Sequence, residues 1–163
     1  MKEVITMLQE HKSKDVVFIG IWGMAGSGKT TLARLIYELI RYSFKSTCFL
    51  SNVREEWNRT KSVHLQSKIL SAFTTNMKGP SQQKLLVLDD VNLMEQLLVL
   101  CRNSEWVTEG SRIIITTRDL HLLKAFQVDL VHNMKLLSPQ ESLQLLRREA
   151  LEQVSPELCI YKK

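Results

Sequence analysis

No stretch restricts the possible folds of this chain more than Gly23-Met24-Ala25-Gly26-Ser27-Gly28-Lys29-Thr30-Thr31, which fits the pattern of two glycines enclosing four residues, followed by Lys and Ser or Thr. The apolar run Val16-Val17-Phe18-Ile19-Gly20-Ile21-Trp22 leads in, and Leu32, Leu35, Ile36, Leu39 and Ile40 recur behind it at helical spacing. Strand, glycine loop and helix in that order form a cradle for anionic oxygens. Backbone N–H groups must wrap the anion, and glycine tolerates the positive φ and close approach involved. The helix N-terminus, with free amides and a positive dipole end, faces the same oxygens. In such a cradle Lys29 reaches the β- and γ-phosphates of a nucleotide, and the Thr30 hydroxyl joins the shell of Mg²⁺.

A second constraint lies downstream. Lys84-Leu85-Leu86-Val87-Leu88-Asp89-Asp90-Val91 is an apolar run ending in carboxylates, the pattern of a buried parallel strand with acids at its C-terminal end. Asp89 is the metal-side acid, acting through water near Thr30, and Asp90 is placed to orient or deprotonate an attacking water. Arg112-Ile113-Ile114-Ile115-Thr116-Thr117-Arg118 is another buried strand, so Arg118 reaches the same sheet edge, where a guanidinium can pair with a γ-phosphate. The bland alternatives are a flexible glycine turn, a polar strand end and a surface arginine. They weaken once the three features occur in one chain.

The remaining segments supply the other layers. A second strand is expected over Ser46 to Val53, a helix over Val63 to Phe73 carrying Leu65, Ile69 and Leu70, and a loop over Thr74 to Gln83. Asn92 with Glu95 reads as a capping pair before a helix carrying Leu93, Leu97, Leu98 and Leu100. Residues Leu120 to Phe126 are helical, and Leu130 to Leu136 form a weaker strand. Ser138-Pro139-Gln140-Glu141 opens a final helix with a capping box. Five alternations of strand and helix give an α/β fold with a parallel sheet covered on both faces.

With 163 residues, 44% hydrophobic and 24% charged, the chain suits one globular domain. No apolar run approaches a membrane span, and no signal segment opens the chain, so the cytoplasm is the expected location. Cys48, Cys101 and Cys159 lack metal-ligand spacing and read as idle or buried thiols. The net charge of +5 is spread along the chain without a basic run interleaved with aromatics, which argues against nucleic acid as the main partner.

These motifs together resemble the nucleotide-binding (NB-ARC) domain of plant intracellular immune receptors, a branch of the P-loop NTPases. The resemblance runs from about Val17 to Leu146 and includes Ile19 to Met24, Phe49-Leu50-Ser51-Asn52-Val53-Arg54-Glu55, Leu85 to Val91, and Gly110 to Asp119. Asn92 stands where receptors with a coiled-coil N-terminus usually carry Trp, so the resemblance leans to the TIR-type disease-resistance receptors. It implies a three-layer P-loop NTPase fold with a parallel five-stranded sheet flanked by helices. It also implies a switch that is off with ADP, on with ATP and reset by hydrolysis. Gly23, Met24, Ala25, Gly26, Ser27, Gly28, Lys29, Thr30, Thr31 and Arg118 would bind nucleotide, Thr30 and Asp89 would serve Mg²⁺, and Asp90 would serve hydrolysis. Ala25 and Ser27 stand where Gly and Ile are common in the family.

The chain divides, on this reading, into a helical lead-in over 1–15, the nucleotide-binding subdomain over 16–153 and an unstructured tail over 154–163. No counterpart of the TIR domain, the leucine-rich repeats, or the Gly-Leu-Pro-Leu and Met-His-Asp segments is present, nor of the Gly-Arg lead-in before Val16. The expectation is an ADP/ATP-binding signalling module in truncated form, at most a slow Mg²⁺-dependent ATPase, whose partners are nucleotide and other receptor domains or immune-receptor proteins. A non-functional or interaction-only fragment is the rival reading, and a small P-loop kinase, which would need an acceptor pocket and an Arg-rich lid, is the third. Leu136, Leu137, Leu143, Leu146 and Leu151 are candidates for an exposed apolar patch.

Overall fold

The structure, a computed structural model, describes residues 16–74, 83–102 and 107–153. Strand β1 (Val17–Trp22) runs into the glycine loop and helix α1 (Lys29–Ile40). Strand β2 (Ser46–Leu50), helix α2 (Val53–Thr74) and strand β3 (Lys84–Val91) follow. A short helix α3 (Met94–Leu97) continues as a π-helical turn, Leu98–Arg102. Strand β4 (Arg112–Thr117), helix α4 (Leu120–Phe126), strand β5 (Leu130–Asn133) and helix α5 (Pro139–Gln153) complete the order.

The five strands form one parallel sheet in the order β2-β3-β4-β1-β5. Side chains alternate across the pleat, so each central strand feeds two cores. One face carries Ile19 and Ile21 of β1, Val87 of β3 and Ile114 of β4, sealed by Leu32, Ala33 and Ile36 of α1. The other carries Leu86, Leu88, Ile113 and Ile115, covered by Leu65, Ile69 and Phe73 of α2, Leu97 and Leu100, and Leu122, Leu123 and Phe126 of α4. All six residues of β4 are buried, as expected of a strand covered on both faces. This is the three-layer P-loop NTPase fold implied by the sequence.

Several local readings are corrected. β2 ends at Leu50 rather than Val53, because Asn52 takes a left-handed φ of 50° and turns the chain. The Asn52 carbonyl then accepts the amides of Glu55 and Glu56, both at 3.0 Å, so α2 begins at Val53 rather than Val63. In its first two turns only Val53 and Trp57 are apolar, too few to read as a helical stripe. The capping partner of Asn92 is Gln96, not Glu95. The fully buried Gln96 amide oxygen accepts the amides of Asn92 and Leu93, and its nitrogen donates to Asn92 Oδ1. β5 stops at Asn133, short of Leu136.

The box at the last helix forms as read, with Ser138 N donating to Glu141 Oε2 at 2.7 Å and Glu141 N to Ser138 Oγ at 3.2 Å. Leu136, Leu137, Leu143 and Leu146 are exposed. The side chain of Leu151, Cys159, the lead-in over 1–15 and the tail over 154–163 lie outside the described residues, as does most of the expected 74–83 loop. Cys48 and Cys101 are buried, and burial lifts both thiols, Cys48 to about 11.

Candidate functional site

Parallel strands deliver their C-terminal ends to one sheet edge, and there β1, β3 and β4 bring the predicted residues together. A cavity of about 320 Å³ opens at this edge. Ala25, Gly26, Gly28, Lys29, Thr30 and Thr31 line it from the loop and α1. Asp90 and Arg118 line it from the ends of β3 and β4.

The glycines at the ends of the loop have distinct reasons to be there. Gly28 sits at φ 87° immediately before α1, a conformation costly to any residue with a Cβ. At Gly23 the constraint is space, because a Cβ would lie 2.8 Å from Met134 Cβ and 2.9 Å from Ser27 Oγ. Met24 is exposed at its side chain and contributes its carbonyl instead. The Ser27 hydroxyl is buried without a hydrogen-bond partner.

Lys29 is the first residue of α1 and only 8% exposed. Its Nζ donates to the carbonyls of Gly23 at 2.8 Å and Met24 at 2.6 Å, holding the ammonium across the mouth of the loop. Burial lowers its pKa below 10.5, repulsion from Arg118 adds to this, and Asp90 and Asp89 act in the opposite sense. An anion in the loop favours the charged form. Binding of a phosphate ligand is therefore expected to raise this lowered value and take up a proton in the alkaline range, and affinity should fall as pH rises through it. Calorimetry at alkaline pH in two buffers of different ionisation enthalpy checks this; a heat independent of buffer would contradict it.

Asp89 is 1% exposed. Its Oδ1 accepts from Thr30 Oγ1 at 2.8 Å and from Thr116 Oγ1 at 2.7 Å. A carboxylate so deeply buried needs its donors, since an unpaired one would carry a large desolvation cost. Thr116 Oγ1 in turn accepts the Asp90 amide at 2.9 Å, helping to hold Asp90 at a left-handed φ of 58°. Strain of this kind concentrates at functional positions. The Asp90 carboxylate is shared between two guanidiniums, Arg54 Nη2 at 3.0 Å and Arg118 Nε at 3.5 Å.

These residues fit a nucleotide phosphate and a hard divalent cation. The loop lines an open cavity with Ala25, Gly26 and Gly28 and adds a buried Ser27 hydroxyl with a spare donor. Thr30 and Asp89 present adjoining oxygens of the kind Mg²⁺ takes. Among the described residues no group of three or more His, Cys, Asp or Glu could hold a metal ion, so such a cation would complete its shell from phosphate oxygens and water.

Three positions at the site received no individual role from the sequence. Asn52 and Thr116 line the cavity, and Arg54 pairs with Asp90. The legible signal for Thr116 was a hydroxyl at the end of an otherwise apolar strand. For Asn52 and Arg54 it was only their place in a motif of the resembled family.

The NB-ARC domain family matches residues 1–78 and 48–155. The chain is 35% identical to the disease resistance protein RUN1 of Vitis rotundifolia, with 96% of this chain and 13% of that protein covered. It is 34% identical to the TMV resistance protein N of Nicotiana glutinosa, covering 94% of this chain and 15% of that protein. It is also 34% identical to the disease resistance protein CHL1 of Arabidopsis thaliana, covering 96% and 36%. The chain thus spans a small part of the length of these relatives. Among solved structures, Cdc6p from Pyrobaculum aerophilum aligns with a TM-score of 0.63 at 13% identity, covering 93% of this chain and 48% of that one. PCH-2 of C. elegans aligns with a TM-score of 0.58 at 13% identity, covering 92% and 46%. At these identities the structural likeness speaks for the fold alone. Among the described residues no helix is long and apolar enough to cross a membrane. Together, the glycine loop, the buried acid at the end of β3 and the match along most of its length place this chain in the NB-ARC domain family of plant disease resistance proteins.

Proposed function

We propose that the chain binds ADP and ATP with Mg²⁺ as the nucleotide-dependent switch module of a plant immune receptor acting in the cytoplasm. The observation that carries this reading is the meeting of Lys29, Thr30 and Asp89 beneath a glycine loop on one sheet edge. Loop amides and the N-terminus of α1 would hold the phosphates, with Lys29 turning from the carbonyls of Gly23 and Met24 to the phosphate oxygens. Thr30 and Asp89 would hold the cation. When bound, Mg²⁺ would supply neutralisation of the phosphate charge. Asp90 would orient an attacking water and Arg118 would meet the terminal phosphate. Exposed Leu143 and Leu146 on α5 suit contact with other domains of a receptor.

Thermal unfolding with and without Mg·ADP or Mg·ATP tests the reading. At ~100 times its dissociation constant a ligand that binds only the folded state contributes ~2.7 kcal/mol, a shift of roughly 5–10 °C for a chain of this size. No shift with either nucleotide would overturn it. Turnover is expected below about 1 s⁻¹, because catalysis of phosphoryl transfer needs charge stabilisation from several sides at once. Phosphate release at tens per second, lost in Asp90→Asn, would point to an enzyme instead.

A further inference from the structure

Asp90 has two cationic partners, and they are not equivalent. Arg118 reaches Oδ1 at 3.5 Å, its side chain is 49% exposed, and it lines the cavity beside Lys29 and Thr30. Arg54 reaches the other oxygen, Oδ2, at 3.0 Å, its side chain is 35% exposed, and it stands outside the residues that line the cavity. One guanidinium is therefore free to turn toward a ligand, while the other grips the carboxylate from behind.

The platform under Arg54 is firm. It is the second residue of α2, next to the fully buried Val53, and the Asn52 carbonyl captures the amides of Glu55 and Glu56 below it. Asp90 is equally fixed, with its amide on Thr116 Oγ1 and its backbone at φ 58°. When Arg118 swings to a phosphate, Asp90 cannot follow. It would then face the incoming negative charge at close range, beside the buried Asp89.

We propose that Arg54 is a positioning residue for Asp90, keeping that carboxylate paired when Arg118 transfers to the terminal phosphate of a nucleotide. The inference rests on the nucleotide-binding reading and adds to it a residue, an order of partner exchange and a link from the phosphate to the start of α2. Without Arg54, Arg118 has to remain with Asp90, and the phosphate meets an unpaired carboxylate. The penalty falls on the last phosphate, so ATP is affected and ADP is spared.

The test is a double-mutant cycle read by calorimetry with Mg·ATP and Mg·ADP, using wild type, Arg54→Gln, Asp90→Asn and the double variant. Arg54→Gln is expected to weaken ATP about tenfold and ADP less than about twofold, within the usual coupling range for contacting charges. In the Asp90→Asn background the same change should leave the ATP-to-ADP ratio unaltered, because no carboxylate remains to be paired. Arg54→Lys, which keeps a cation on the same helix, should recover most of the ATP affinity, and it carries the cycle if glutamine disrupts the corner. Equal losses for both nucleotides, or a loss from Arg54→Gln that persists with Asn at position 90, would overturn the proposal and leave nucleotide binding intact. Absence of binding by the wild type would instead remove the reading beneath it.

Discussion

Lys29→Ala is expected to weaken Mg·ADP and Mg·ATP binding by at least about 100-fold and to erase the nucleotide-dependent rise in melting temperature. The ammonium is buried across the mouth of the loop, with two carbonyls as its partners. It is a cation held at a desolvation cost beside the place where phosphate oxygens belong. Hydrogen bonds to charged groups contribute about 1.5–3 kcal/mol each, and a low-dielectric loop strengthens them. Removing the side chain leaves the glycine cradle and α1 in place, so the ligand-free protein should melt within a few degrees of wild type. Isothermal calorimetry paired with ligand-free melting separates lost binding from lost folding. Unchanged affinity would refute the assignment of the loop.

The second large effect is on stability. Ile114→Ala should destabilise the fold by roughly 3–4 kcal/mol, lowering the melting temperature by roughly 10 °C. Ile114 is fully buried at the centre of β4, in register with Ile19 on one side and Val87 on the other. All three sit on the face sealed by α1. The strands beside the cavity are those beside Ile114, so the surrounding atoms can relax only by disturbing the loop. Urea unfolding with an unchanged m-value and a lowered midpoint is the expected result. A loss below about 1 kcal/mol would mean that this face repacks freely.

What could be read in advance follows from how each signal is encoded. The phosphate loop, β3 and β4 depend on local patterns: glycines at fixed offsets, and apolar runs too continuous to be half-exposed. The meeting of Lys29 and Thr30 with Asp89, Asp90 and Arg118 at one edge was legible because a glycine loop and the ends of neighbouring parallel strands share that edge. The beginning of α2 was not, because Val53 to Ser62 offer only Val53 and Trp57 as apolar positions and the helix is launched by a left-handed Asn52. Gln96 was missed because a reversed cap, with the side chain reaching back to two amides, resembles any polar residue in a first turn. Arg54 needed the third dimension, since only the fold brings it to Asp90.

The strand order has a consequence for how the protein is made. β1 lies between β4 and β5, so Val17 must await Arg112 before it can pair within the sheet. At synthesis rates of about 5–20 residues per second, the wait from one to the other is roughly 5–20 s. During that time an apolar strand whose Ile19 and Ile21 end fully buried has neither neighbour. The segment bearing the nucleotide cradle is thus synthesised ahead of both strands that shelter it in the sheet. It is the stretch a chaperone would be expected to hold on the nascent chain.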